Sequence, residues 1–333
     1  MPWDPPPDPS RPELPYTAGF QMTIRSHNFD CKPANRATID ESWLRTHPVS
    51  EVVLEYPPSE TPDPLSPETA VLTIDHPIRT GSYHMAQVVC CRVSFHKREK
   101  GSKLLVAKIF DALYYPPQDN PCDIAKLADK YYSAESAAYD RLQRYYKENH
   151  HAEYHESWTF TLPTEYNGRT IQRPVRLVLL EHLNGCTVAD LDPADVLGDD
   201  KEKKFGLELV ARVLHIVSKE EHLGVWHNDV APRNVMIIPK PEASAPANSL
   251  QRVVLIDYDI SKIEHPPRPG LPPNPMQVHW NSSPAGFGPW VPTSMFSAFY
   301  PVEWQKWLER RFKGDEENYA PVTEKLEYFV DDY

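Results

Sequence analysis

The chain has 333 residues, with 35 basic and 47 acidic side chains and a net charge of −12. That balance repels phosphate and excludes a mainly electrostatic nucleic-acid binder. Apolar residues at 40% and charged ones at 25% suffice for a core, and the length predicts about two globular units. Proline, with 36 residues, is concentrated at 1–15, 57–67 and 266–301, which predicts a folded middle with proline-rich edges.

In chain order, residues 1–20 are expected to be a disordered proline-rich tail, and 21–69 an N-terminal extension of mixed character. Within it, Ser50–Tyr56 (SEVVLEY) reads as a strand. Ala70–Ile74, Met85–Phe95 and Lys103–Phe110 read as three close strands, an antiparallel meander, with a charged turn at His96–Gly101. Asp123–Lys147 carries apolar residues at steps of three and four and predicts a long helix. Trp158–Leu162 and Val175–Leu180 predict two more strands around a turn at Asn167 and Gly168.

Asp190 and Asp192 are placed to start a short helix, and Lys203–Glu221 predicts a second long amphipathic one. Val235–Ile238 and Val253–Ile256 predict a strand pair around a polar insert, Pro239–Gln251. Residues 264–300 read as a proline-rich loop, and Glu303–Phe312 as a terminal helix. The order predicts an α+β protein.

Five cysteines, odd in number and with no CxxC pair, argue against a disulfide framework or a zinc site. They read as reduced thiols. The first residues have neither a basic nor an apolar signal region, and the longest strongly apolar run is only Val175–Leu180. The expected setting is intracellular, cytoplasmic or nuclear, with no membrane and no nucleic-acid partner.

The run His222–Ile238 (HLGVWHNDVAPRNVMII) is the most informative. His227, Asn228 and Asp229 are followed by Asn234, five positions after the aspartate. Asp257 closes an apolar strand downstream, Lys108 lies in a strand upstream, and Glu135 lies in the helix after it. This set resembles the protein kinase-like superfamily: the H-x-D-x-x-x-x-N catalytic loop, the D-F-G turn, the strand lysine and the helix glutamate of the eukaryotic protein kinase catalytic domain. The resemblance covers residues 70–262.

The resemblance implies a two-lobed protein-kinase-like fold. Residues 70–183 would be an N-lobe and hinge, with a small antiparallel sheet and one helix. Residues 184–333 would be a mainly helical, abbreviated C-lobe. It also implies ATP and Mg2+ as cofactors and a hydroxyl, by default on a protein side chain, as acceptor. Asp229 would take the hydroxyl proton, Asn234 and Asp257 would hold the metal, and Lys108, paired with Glu135, would hold the phosphates. Arg233 would lend charge near the γ-phosphate, backbone groups of Glu181 and Leu183 would meet adenine, and His227 would prop the loop.

The spelling departs from that family in places. No G-x-G-x-x-G exists, only Gly81-Ser82-Tyr83. The turn reads Asp257-Tyr258-Asp259, as in aminoglycoside- and choline-type phosphotransferases, and no A-P-E follows. Two alternatives therefore stand beside a protein kinase: a catalytically impaired binding module, and a small-molecule kinase. The proline-rich edges could also bind SH3- or WW-like modules, although a solvated linker explains them as well.

Overall fold

The computed structural model describes residues 3–29, 38–58, 64–95, 103–166, 168–191, 200–239, 250–277 and 302–322. The chain divides into two compact units. The first comprises Met1–Asp140 and Glu153–His182, the second Arg141–Ala152 and Leu183–Tyr333. The boundary falls after His182, and Arg141–Ala152 belongs to the second unit.

The first unit is built on six antiparallel strands: β1 (Gln21–Ser26), β2 (Thr69–Arg79), β3 (Gln87–Phe95), β4 (Leu104–Phe110), β5 (Tyr154–Tyr166) and β6 (Arg169–Glu181). They form a closed barrel in the order β1-β2-β3-β4-β6-β5. Alternation places Ile24, Leu72, Val89, Cys91, Leu105, Ala107, Trp158, Phe160, Leu177 and Leu179 in one core. The meander of β2, β3 and β4 and the β5–β6 pair are formed as the strand patterns require.

This barrel overturns the two-lobed protein-kinase-like fold with an open sheet. Closure comes from β1, in the stretch expected to be an extension. β1 pairs with β2 from Gln21↔Thr73 to Arg25↔Thr69, and with β5 through Arg25↔Thr159 and Ser26↔Trp158. Its alternating burial, with Met22, Ile24 and Ser26 inward, gives it one face for the barrel interior. Among the described residues there are five α-helices.

Two further expectations are corrected. Ser50–Tyr56 is not a strand; α1 (Glu41–Leu44) is followed by α2 (Val49–Glu55), which buries Val52 and Val53. Pro48 offers α2 no side-chain cap, and the Asp8 carboxylate does that work, accepting from Ser50 N at 2.8 Å and Ser50 Oγ at 2.6 Å. Nor are residues 3–20 a free tail: besides Asp8, Tyr16 is 1% exposed and packs in the barrel core.

α3 (Ile124–Tyr145) follows β4 in sequence. The second unit, expected to be mainly helical, is mixed. It holds α4 (Asp200–His222) and α5 (Val302–Phe312), a sheet ordered β10-β9-β7, and the pair β11-β8. Here β7 is Cys186–Thr187, β8 Val225–Trp226, β9 Val235–Pro239, β10 Leu250–Leu255 and β11 Lys262–Ile263. β9 and β10 form the expected antiparallel pair, Val235↔Leu255 to Pro239↔Leu250. α4 ends at Gly224, whose φ of +79° and closeness to His265 O leave no room for a Cβ. Val210, Ala211 and Leu214 of α4 pack with Leu308 and Phe312 of α5.

The charged turn at 96–101, Asn167, Asp192, insert positions 240–249, loop positions 278–300 and Cys31 lie outside the described residues. Cys90, Cys91, Cys122 and Cys186 are free thiols, and burial raises Cys91 to about 12. Among the described residues no helix is long and apolar enough to cross a membrane.

Candidate functional site

Loop 227–234 of the second unit is organised by a buried histidine. His227 Nε2 donates to Ile256 O at 3.1 Å, and its Nδ1 accepts from Asp229 N at 3.3 Å. Those bonds require the neutral ring, and burial lowers its pKa to about 4. Asn228 takes a left-handed φ of 62°, and its Nδ2 donates to Ile260 O at 3.1 Å. Asparagine tolerates this conformation well, so the loop reverses without glycine.

The reversal brings Asp229 against the residues that follow it. Arg233 Nη2 donates to both Asp229 oxygens, at 2.6 and 2.7 Å. Asn234 Nδ2 donates to the Asp229 carboxylate at 2.8 Å and to its main-chain O at 2.9 Å. The Asp229 side chain remains 30% exposed and that of Arg233 61%. Asn234 is itself buried, and Ile256 N donates to its main-chain O at 3.0 Å. Asp257, the next residue, has a left-handed φ of 71°. The β9–β10 pair thus brings the end of loop 227–234 beside Asp257.

Tyr258 follows Asp257 and is fully buried. Its ring lies 4.4 Å from that of His227, and its hydroxyl donates to Glu220 Oε1 of α4 at 2.5 Å. Glu220 is 1% exposed, and burial raises its pKa to about 8. Sequence reasoning missed Glu220; the tyrosine in an apolar position, whose hydroxyl needs a partner, was the available signal.

The folded chain holds a proton on Glu220 that the unfolded chain releases above its ordinary pKa of 4.5. Stability is therefore fully present below about pH 4.5 and is lost as pH rises through 8, by about 1.4 kcal/mol per pH unit at most. Glu220→Gln is expected to match wild type in urea midpoint near pH 4.5 and exceed it at pH 8.5. A midpoint difference independent of pH would contradict the assignment.

In the first unit, Lys108 sits at the centre of β4, with backbone partners Val88 and Val178. It is 4% exposed, and its Nζ lies 2.8 Å from Glu135 Oε2 of α3, which is fully buried. Glu181, at the end of β6, is tied to Glu153: Glu181 N donates to Glu153 O at 2.9 Å, and Glu153 N to Glu181 Oε2 at 3.1 Å. Leu183 O accepts from Gly185 N at 3.1 Å. The structure thus joins Lys108 with Glu135 in one unit and Asp229, Arg233 and Asn234 in the other. Glu181 belongs to the first unit, Leu183 and Asp257 to the second.

Another buried pair escaped sequence reasoning. Asp111 receives both guanidinium nitrogens of Arg173, the Tyr16 hydroxyl at 2.6 Å and Leu113 N at 3.1 Å. No protein-family model matches the chain, and a search of characterised proteins finds none with significant similarity to it.

Proposed function

We propose that the chain is an ATP- and metal-dependent phosphotransferase acting on a hydroxyl, with protein side chains as the first choice of acceptor. The observation that carries this reading is the Asp229 carboxylate, held by Arg233 and Asn234 while Asn234 is itself bonded to the residue before Asp257. The reading rests on that loop and not on the fold.

The donor set fits a hard cation. Asn234 Nδ2 donates twice to Asp229, and its Oδ1 is the amide atom for a metal. With the Asp257 carboxylate it makes an all-oxygen set, which suits Mg2+. When bound, the metal would neutralise charge on the phosphates. Asp229 orients the acceptor hydroxyl and takes its proton as the new O–P bond forms and the bond to the β-phosphate oxygen breaks. Arg233 holds the Asp229 carboxylate in place through both of its oxygens. The remaining nucleotide assignments, Lys108 braced by Glu135, and the backbones of Glu181 and Leu183, come from the resemblance and belong to the proposal.

The test is transfer of labelled phosphate from ATP to protein acceptors. Asp229→Asn is expected to lower the rate by about 10²–10⁴-fold. Equal incorporation by both proteins would refute the role of Asp229. ATP binding is expected to strengthen with MgCl2, and Asp257→Ala to remove that gain.

One observation favours a second reading, a catalytically impaired binding module. Gly81 N donates to Gln87 Oε1 at 2.7 Å, and Gln87 Nε2 donates back to Gly81 O at 3.0 Å. The glycine turn is closed on its own side chain, and its amide is not offered to phosphate. Absence of a thermal shift with ATP and MgCl2, together with no transfer to protein, aminoglycoside or choline acceptors, would select that reading.

A further inference from the structure

We propose that Glu148, His150 and His215, in the second unit, form a binding site for one zinc ion. One donor atom from each lies within 4.8 Å of the others. His215 Nε2 is 2.7 Å from Glu148 Oε2, and His150 Nε2 is 3.6 Å from the same oxygen. Donors around tetrahedral zinc, with bonds of about 2.0–2.1 Å, lie about 3.3 Å apart, so the two separations bracket that value.

Both rings are turned correctly by their other nitrogen. His150 Nδ1 lies 3.1 Å from Val253 O, which accepts its proton, and so Nε2 carries the lone pair. His215 Nδ1 lies 2.5 Å from the Tyr319 hydroxyl. Without the ion, His215 Nε2 donates to Glu148 Oε2, and zinc would take the place of that proton, leaving Nδ1–H to face the Tyr319 hydroxyl. This is the outer-shell pattern that fixes metal-binding imidazoles.

The donors stand on firm supports. His215 lies within α4. The segment bearing His150 is pinned to β10: Arg252 Nε donates to Asn149 O at 2.7 Å, and Leu255 N to His150 O at 3.3 Å. Lys219 Nζ occupies the other carboxylate oxygen, Glu148 Oε1, at 3.1 Å and leaves Oε2 to the two rings. A cleft of about 320 Å³, lined by His150, Arg212, His215, Arg311, Asn318 and Tyr319, provides entry for the ion. Three protein donors leave a position for water, as in zinc sites that keep an open ligand place. The two nitrogens and one oxygen select zinc over magnesium.

The experiment is calorimetric titration of the full chain with ZnCl2, for wild type, His150→Gln and Lys219→Met. Wild type is expected to bind one more zinc ion than His150→Gln, or to bind it at least about tenfold more tightly. MgCl2 should give no such difference. Lys219→Met removes a competing cation but no ligand, and is expected to bind zinc more tightly than wild type.

The Asp75, His76 and Cys90 group of the first unit also brings donors together. Cobalt therefore serves as a second probe. The difference spectrum between wild type and His150→Gln should show ligand-field bands without a thiolate charge-transfer band. Identical zinc binding by wild type and His150→Gln, unchanged or weaker binding by Lys219→Met, or a thiolate band in that difference spectrum would each overturn the proposal.

Discussion

Asp111→Asn is expected to lower the free energy of unfolding by about 3–5 kcal/mol, the cost of leaving a buried charge without its counter-ion. The Arg173 side chain is 2% exposed and that of Asp111 fully buried. Without the carboxylate charge, Arg173 keeps only neutral partners, such as Thr164 Oγ1 at 3.3 Å from its Nε. Asparagine can still accept from Leu113 N, so the loss reports on charge and not on the local turn. Arg173→Met alone should cost a similar amount, whereas the double variant should recover much of it, because no charge is then stranded. Tyr16→Phe removes one hydrogen bond and should cost about 1–2 kcal/mol. Urea unfolding of the four proteins checks this. A loss under about 1 kcal/mol for Asp111→Asn would contradict the account.

The second large effect is expected at Lys108 and Glu135. Each single change, Lys108→Met or Glu135→Leu, strands a buried charge and should cost about 3–5 kcal/mol. The double variant should be less damaged than either sum implies, with a coupling of about 1–3 kcal/mol in a double-mutant cycle. Additivity within about 0.5 kcal/mol would mean that the 2.8 Å contact does not bind the two energetically. This decides how activity data are read. A loss of phosphate transfer in Lys108→Met speaks for the phosphate-holding role only at temperatures where that variant stays folded.

The legible parts of the chain were those with local rules. α3, α4 and α5 followed from apolar residues at steps of three and four. Loop 227–234 was singled out by its resemblance to the kinase catalytic loop, and in the structure Asp229 meets Arg233 and Asn234 four and five residues on. β1 was missed although QMTIRS begins with polar–apolar alternation: the stretch is short, only Met22 and Ile24 are apolar, and the third inward residue, Ser26, is polar. α2 was misread because Val52 and Val53 favour strands, while packing and the Asp8 carboxylate favour a helix. The barrel rests on pairs such as Arg25↔Thr159, which no local pattern encodes. The same holds for Asp111 with Arg173, 62 positions apart, and Glu148 with His215, 67 apart.

The way the barrel is shut has a consequence for synthesis. β1 leaves the ribosome first, yet one of its two neighbours, β5, is among the last strands of the ring to be made. Until Trp158 and Thr159 emerge, the nascent chain carries β1 with one side unclaimed, and its polar backbone is open to any passing strand. A long-range closure of this kind is slow to form and exposed while it waits. A chain starting after Ser26 would keep that exposure for good, with β2 and β5 as two permanent edges. Such truncations should collect as aggregates even where every residue of loop 227–234 is intact.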